Sequence, residues 1–253
     1  MIESGGDLSV LSLSYTLTPN ATYPTQLRQA VSALQYLVQT EGRDPSTVRC
    51  NYVHGENLYD RPITDLFKII VGGDSAGGNL VSALLLHLAK PHADVVPVEL
   101  HAPLCGALLL SPWVSFNVNK PSMVENADTD YITVKSLKKA VATFLPPGGK
   151  PDAYTEPLSA PLEWWALVRE KIVQHFFVWA GGSEMLRDSI MEFETTIKEA
   201  SAAGSVDGTV HFVVTPKEAH VQMVLDPHLR LGSKTVGGGE VEKWLAKMLT
   251  TKI

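Results

Sequence analysis

Residues 68–89 read KIIVGGDSAGGNLVSALLLHLA, and the reading of this stretch decides the fold. Lys68 to Val71 begin a short β-branched run suited to a buried strand, and the segment from Asn79 onward is apolar enough for a long helix. The glycines between them mark a sharp strand-to-helix corner with Ser75 at its tip. Such a corner needs small residues two before and two after the serine, because the backbone bends too tightly for side chains there. Gly73 and Gly77 occupy those positions. The corner also sets Ser75 beside a helix N-terminus, where unpaired backbone N–H groups favour developing negative charge, and the N–H of Ala76 is an oxyanion-donor candidate. The plain alternative is a glycine-rich turn that only joins a strand to a helix.

Outward from this corner the chain alternates strands and helices. Leu8–Tyr15 alternates Ser with Leu and Val and predicts a strand; Leu27, Val31, Leu34, Leu37 and Val38 then recur at helical spacing over about Pro24–Gln39. Residues 41–67 are polar and rich in turn formers, a surface loop or insertion. CGALLLS at 105–111 reads as a buried strand that ends at Pro112-Trp113. From 114 to 161 the regularity lapses, with one weak helix near Lys135–Leu145, and this segment is assigned as a cap or lid insertion. Phe176–Trp179, Leu186–Ala203, Val210–Val214 and Val241–Leu249 then give strand, helix, strand and closing helix. This order predicts an α/β fold, a mostly parallel sheet with helices on both faces, in a single domain over 1–253.

Composition narrows the function classes. The chain has 253 residues, 45% hydrophobic and 19% charged, with a formal net charge of -6 and no basic block, so there is no electrostatic case for nucleic acid. Two cysteines, Cys50 and Cys105, are too few for a disulfide scaffold or thiolate metal site, and a reducing compartment is the simplest inference. No window approaches a membrane span and the first residues lack a leader pattern, so the expectation is a soluble, cytoplasmic protein. No metal or cofactor is expected, because no histidine and carboxylate cluster shows ligand spacing.

A serine nucleophile needs a histidine base, and the histidine needs an acid to hold its tautomer. In sheets bearing this kind of corner the chain order is Ser, then acid, then His. Of the eight histidines, His220 has the right context, in the loop TPKEAHVQMVL directly after a strand. Glu184 and Asp188 both lie in the loop after the Phe176–Trp179 strand; Glu184 is nearer the strand end and is preferred, while Asp188 can cap or pair locally. Trp113, Trp164 and Trp165 are candidates for an apolar pocket wall, with plain core or surface packing the commoner role of such tryptophans, and Asp74, Gly73 and Trp113 are candidates for substrate contact.

Five motifs in order carry a family resemblance: LSYTLTPNATYP, VGGDSAGGNL, SPW, GGSEMLRD and EAHV. Together they resemble the hormone-sensitive-lipase-like family of α/β-hydrolase esterases, fungal members in particular, from about Leu8 to the C-terminus. The second resembles the family's Gly-Asp-Ser-Ala-Gly-Gly elbow, and the first its Tyr-Arg-Leu-Ala-Pro segment with Thr16 and Thr18 in place of Arg and Ala. The resemblance implies a serine carboxylesterase that takes small or medium acyl esters through Ser75, His220 and an acid, usually Asp in the family and Glu184 here. It departs at the N-terminus. Family members carry a His-Gly-Gly-Gly segment upstream that supplies most oxyanion donors, and neither it nor the strands before it are present. An uncovered sheet edge there would invite pairing with a second copy, a homodimer. The readings set against an esterase are a catalytically weak or inactive binding protein, and a thioesterase, amidase or acyltransferase that uses the same residues.

Overall fold

The computed structural model describes residues 10–42, 69–202, 208–229 and 235–250. Its elements are α1 (Thr25–Gly42), β1 (Ile70–Asp74), α2 (Ala76–Ala89), β2 (Leu104–Leu110), α3 (Ser122–Glu125), α4 (Val134–Phe144), α5 (Leu162–Leu167), β3 (Val173–Gly181), α6 (Arg187–Ala202), β4 (Val210–Thr215), α7 (Gln222–Leu229) and α8 (Val236–Thr250). The strands form one four-stranded sheet in the order β1-β2-β3-β4, every pair parallel. All four C-terminal ends therefore open on one edge, where an α/β sheet gathers its functional loops.

The two faces of the sheet are covered by different helices. Phe176, Val178 and Ala180 of β3 point into a core shared with α1, α2 and α6. The alternate residues Phe177 and Trp179 point the other way and pack with Met223 of α7 and with Trp244 and Met248 of α8. Burial on both faces is why β2 and β3 read as continuous apolar runs rather than alternating ones. In α1 the predicted stripe is observed, with Leu27, Val31, Leu34 and Val38 buried. By contrast α2 is apolar on nearly every side and is enclosed, with Val81, Leu84, Leu85 and Leu86 all buried.

One expectation needs correction, and another falls almost wholly outside the described residues. Within Leu8–Tyr15, residues 8 and 9 fall outside the described residues, and Val10–Tyr15 forms no strand. A strand requires a partner for its N–H and C=O groups, and no described strand pairs with this segment; Val10 and Leu11 are exposed at 83% and 60%. The loop expected at 41–67 lies outside the described residues except for its first two positions, which end α1.

The segment 114–161 holds α3, α4 and a short 3-10 turn at Pro157–Ser159. Met123, Leu137, Tyr154 and Ala160 from this segment belong to the main core. The Asn79 side chain ties it to α2 by donating to the carbonyls of Trp113 and Thr155, both at 2.8 Å.

Candidate active site

Ser75 sits between β1 and α2 with φ 52° and ψ -115°, in a region that L-residues rarely occupy. A residue held so costs roughly 1–3 kcal/mol, offset by surroundings that over-determine it. Those surroundings are three backbone bonds: Ser75 N–H donates to Leu110 O at 2.9 Å, while Ser75 O accepts from Asn79 N–H at 3.0 Å and Trp113 N–H at 3.1 Å. The hydroxyl caps nothing in α2. It lies instead 2.8 Å from Nε2 of His220.

The corner uses its glycines differently from the sequence expectation. A Cβ on Gly73 would lie 2.4 Å from the carbonyl carbon of Gly77, so the strand must pass bare against the first helical turn. A Cβ on Gly77 would meet nothing within 4 Å, whereas one on Gly78 would press on Pro112 at 2.8 Å. The second obligatory glycine is Gly78, because the chain that leaves β2 crosses at Pro112.

Each further strand end adds one group. After β4, His220 is buried to 2% exposure, and its Nδ1 faces Oε1 of Glu184 at 3.7 Å. After β3, the fully buried Glu184 accepts through Oε2 from the Gly181 N–H at 2.8 Å and from the Ser111 hydroxyl at 2.5 Å. After β2, the Ser111 hydroxyl also accepts from the Val221 N–H at 3.1 Å, so one side chain joins the acid loop to the histidine loop. Sequence reading missed Ser111; its only signal was its place at a strand end in the SPW motif. Ser75, Ser111, Lys217 and Val221 are the non-glycine positive-φ residues among those described, and all lie at the C-terminal ends of strands around this site.

Asp188 is occupied elsewhere. It accepts from the Ser122 N–H at 2.8 Å and from Arg187 in the first turn of α6. The structure thus brings Ser75, His220 and Glu184 together and leaves Asp188 holding the 114–161 segment.

The remaining candidates divide. The Ala76 N–H is at the first position of α2, beyond reach of any intrahelical carbonyl. Ala76 and Trp113 line a cavity of about 140 Å³ together with Tyr15, Leu17, Phe144 and Tyr154. Gly73 packs on helix backbone and Asp74 is exposed on the rim; neither lines the cavity. Trp165 is fully buried against Phe176 and Phe193, and Trp164 packs on Tyr154, so these two tryptophans stabilise the core rather than wall the pocket. Among the described residues no cluster of three or more His, Cys, Asp or Glu could hold a metal ion, and no helix is long and apolar enough to cross a membrane.

This arrangement, a serine on a strained strand-to-helix corner with acid and histidine at later strand ends, accompanies a sequence match to the alpha/beta hydrolase fold over residues 4–223. The chain belongs to the alpha/beta hydrolase fold family. Among its relatives, Probable carboxylesterase 6 of Arabidopsis thaliana is 25% identical over 217 residues, which cover 83% of the chain and 57% of the relative. An esterase from the bacterial hormone-sensitive lipase family superposes with a TM-score of 0.63 at 24% identity, covering 93% of this chain and 63% of that one. Carboxyl esterase 2 from the mycorrhizal fungus Tuber melanosporum superposes with a TM-score of 0.64 at 20% identity, covering 93% and 65%. The chain therefore spans less than two thirds of the length of these relatives.

Proposed function

We propose that the chain is a serine carboxylesterase. The observation that carries this reading is the 2.8 Å approach of Ser75 Oγ to His220 Nε2, with Glu184 on the far side of the imidazole. In this reaction Ser75 Oγ attacks the ester carbonyl and its proton passes to His220 Nε2. The tetrahedral intermediate then expels the alcohol, which takes that proton back as its C–O bond breaks. Water, activated by the same nitrogen, hydrolyses the acyl-enzyme.

Glu184 acts by holding the imidazole with Nε2 toward Ser75 and by countering the charge on the imidazolium. Ala76 N–H donates to the oxyanion at the head of α2, where the helix dipole adds its field. Loss of one such donor commonly costs a factor of about 10²–10³. The substrate is a small-molecule ester. The cavity beside Ala76 and Trp113 matches the roughly 150 Å³ of an apolar cavity that accepts benzene, which suits a short acyl group.

The test is hydrolysis of p-nitrophenyl butyrate by the chain beside Ser75→Ala and His220→Ala, with a fluorophosphonate probe as a second readout. Loss of turnover in both variants, and labelling that disappears in Ser75→Ala, is the expected result. Labelling that persists in Ser75→Ala would refute the assignment. We also assign the edge of β1 that no described strand pairs with as a pairing surface for a second copy. A monomeric mass in light scattering would dismiss that dimer.

A further inference from the structure

Beside His220 stands a residue that the reaction described above leaves without a role. The Tyr131 ring centroid is 5.8 Å from that of His220, the planes inclined at 51°, and the side chain is 57% exposed. An exposed aromatic side chain is ordinary on a mobile loop, but this one stands on a built support. Asn126 donates its side-chain N–H to Glu184 O at 2.7 Å, and the Thr129 hydroxyl donates to Ser183 O at 3.1 Å. The Met185 N–H donates to one carboxylate oxygen of Asp130 at 2.7 Å, while the other accepts from the Tyr131 N–H at 2.8 Å. The loop that carries Tyr131 is thereby fastened to residues 183–185, which themselves carry Glu184.

Chemistry decides which half of an ester meets this ring. His220 Nε2 returns its proton to the departing alkoxide, so the alcohol oxygen must lie next to the imidazole in the transition state. On the serine-esterase reading the acyl half takes the other side of the carbonyl, for which the cavity lined by Ala76 and Trp113 is available. The group over Tyr131 is therefore the alcohol. Resting on the serine-esterase reading above, we propose that Tyr131 is a specificity-determining residue for the alcohol half of the ester and selects esters of aromatic alcohols. An aromatic alcohol can pack on the exposed ring, whereas a short alkyl alcohol covers little of it. The phenol stays neutral at working pH, pushed up to about 12 by partial burial and then by the carboxylates of Asp130, Asp74 and Glu184.

Benzyl butyrate and ethyl butyrate test this, because both yield the same butyryl-enzyme and differ only in the alcohol expelled. The ratio of their kcat/KM values should fall roughly three- to tenfold in Tyr131→Ala and persist in Tyr131→Phe. Tyr36→Ala, which removes an aromatic side chain 65% exposed on α1, serves as the control and should leave the ratio intact. An unchanged ratio in Tyr131→Ala, or an equal loss for both esters, would overturn the proposal. Titration with benzyl alcohol, followed by NMR of the Tyr131 ring protons with ethanol as reference, reads the contact without turnover. That shift should survive in Ser75→Ala, so failure of the nucleophile assignment and failure of the Tyr131 assignment are told apart.

Discussion

Nδ1 of His220 and Oε1 of Glu184 face one another at 3.7 Å, and neither of these buried atoms has a hydrogen-bond partner among the described residues. A buried polar atom left unpaired costs about 1–3 kcal/mol, so each is the other's natural partner. Movement by less than an ångström would satisfy both, and in the proposed reaction the charge formed on the imidazole favours it. Glu184→Gln should lower kcat on the order of a thousandfold with little change in KM, because the amide can present N–H to Nδ1 and favour the wrong tautomer. Glu184→Asp keeps the charge and should retain more activity than Glu184→Gln. Steady-state kinetics with p-nitrophenyl butyrate compare the two, and equal activities would show that the charge is not used.

Ser111 holds that acid in place. Its hydroxyl joins Glu184 Oε2 at 2.5 Å to the Val221 N–H at 3.1 Å, one residue from His220. Ser111 also has φ 45°, a conformation that glycine accepts without strain. Ser111→Gly should therefore retain most of the melting temperature and lose roughly tenfold or more in kcat. Ser111→Thr should do the opposite, since it keeps the hydroxyl but places a β-branched residue at positive φ. Matching losses of Tm and kcat across the pair would reduce Ser111 to a packing residue.

At the corner, Gly73, Gly77 and Gly78 separate by one test. Gly77→Ala meets open space on the first turn of α2 and should be neutral or stabilising by about 0.4–1 kcal/mol. Gly78→Ala must displace Pro112, and Gly73→Ala must displace the backbone of Gly77. Both should lower Tm by several degrees, a shift that corresponds to roughly 1–3 kcal/mol. Thermal melts of the three variants check the order.

How much of this could be read from the chain depended on whether a residue's neighbour was local. The corner at Ser75, the helix stripe of α1 and the strands at β2, β3 and β4 were legible because period and punctuation are local signals. The choice of His220 and Glu184 followed from strand-end position. Gly78 was missed because its constraint comes from Pro112, which arrives from another strand. Ser111 was missed because a serine before Pro112-Trp113 looks like any turn residue until Glu184 and Val221 come to it. Trp165, a candidate for either pocket or core, packs in the core, a choice that sequence does not make for a tryptophan. Val10–Tyr15 has a strand's pattern, but pairing needs a partner that pattern alone does not supply.

One further group links stability to pH. His87 on α2 is fully buried, with Nε2 3.0 Å from Val96 O and Nδ1 accepting from the His92 N–H at 3.0 Å. The neutral ring, with its proton on Nε2, satisfies both contacts; a second proton on Nδ1 would face an N–H donor. Burial first, and the nearby His92 to a smaller degree, lower its pKa below 6.5, against the opposing pull of the Val96 carbonyl. The unfolded chain therefore takes up a proton near pH 6.5 that the folded protein refuses. Stability falls as pH drops below that value, by up to about 1.4 kcal/mol per pH unit for a single group. His87→Gln removes this titration, so its Tm should decline less between pH 7.5 and 5.5 than that of the wild type, whatever the offset at pH 7.5. Parallel declines would place the linkage on another group, of which His175 is the first to test, since burial lowers its pKa as well.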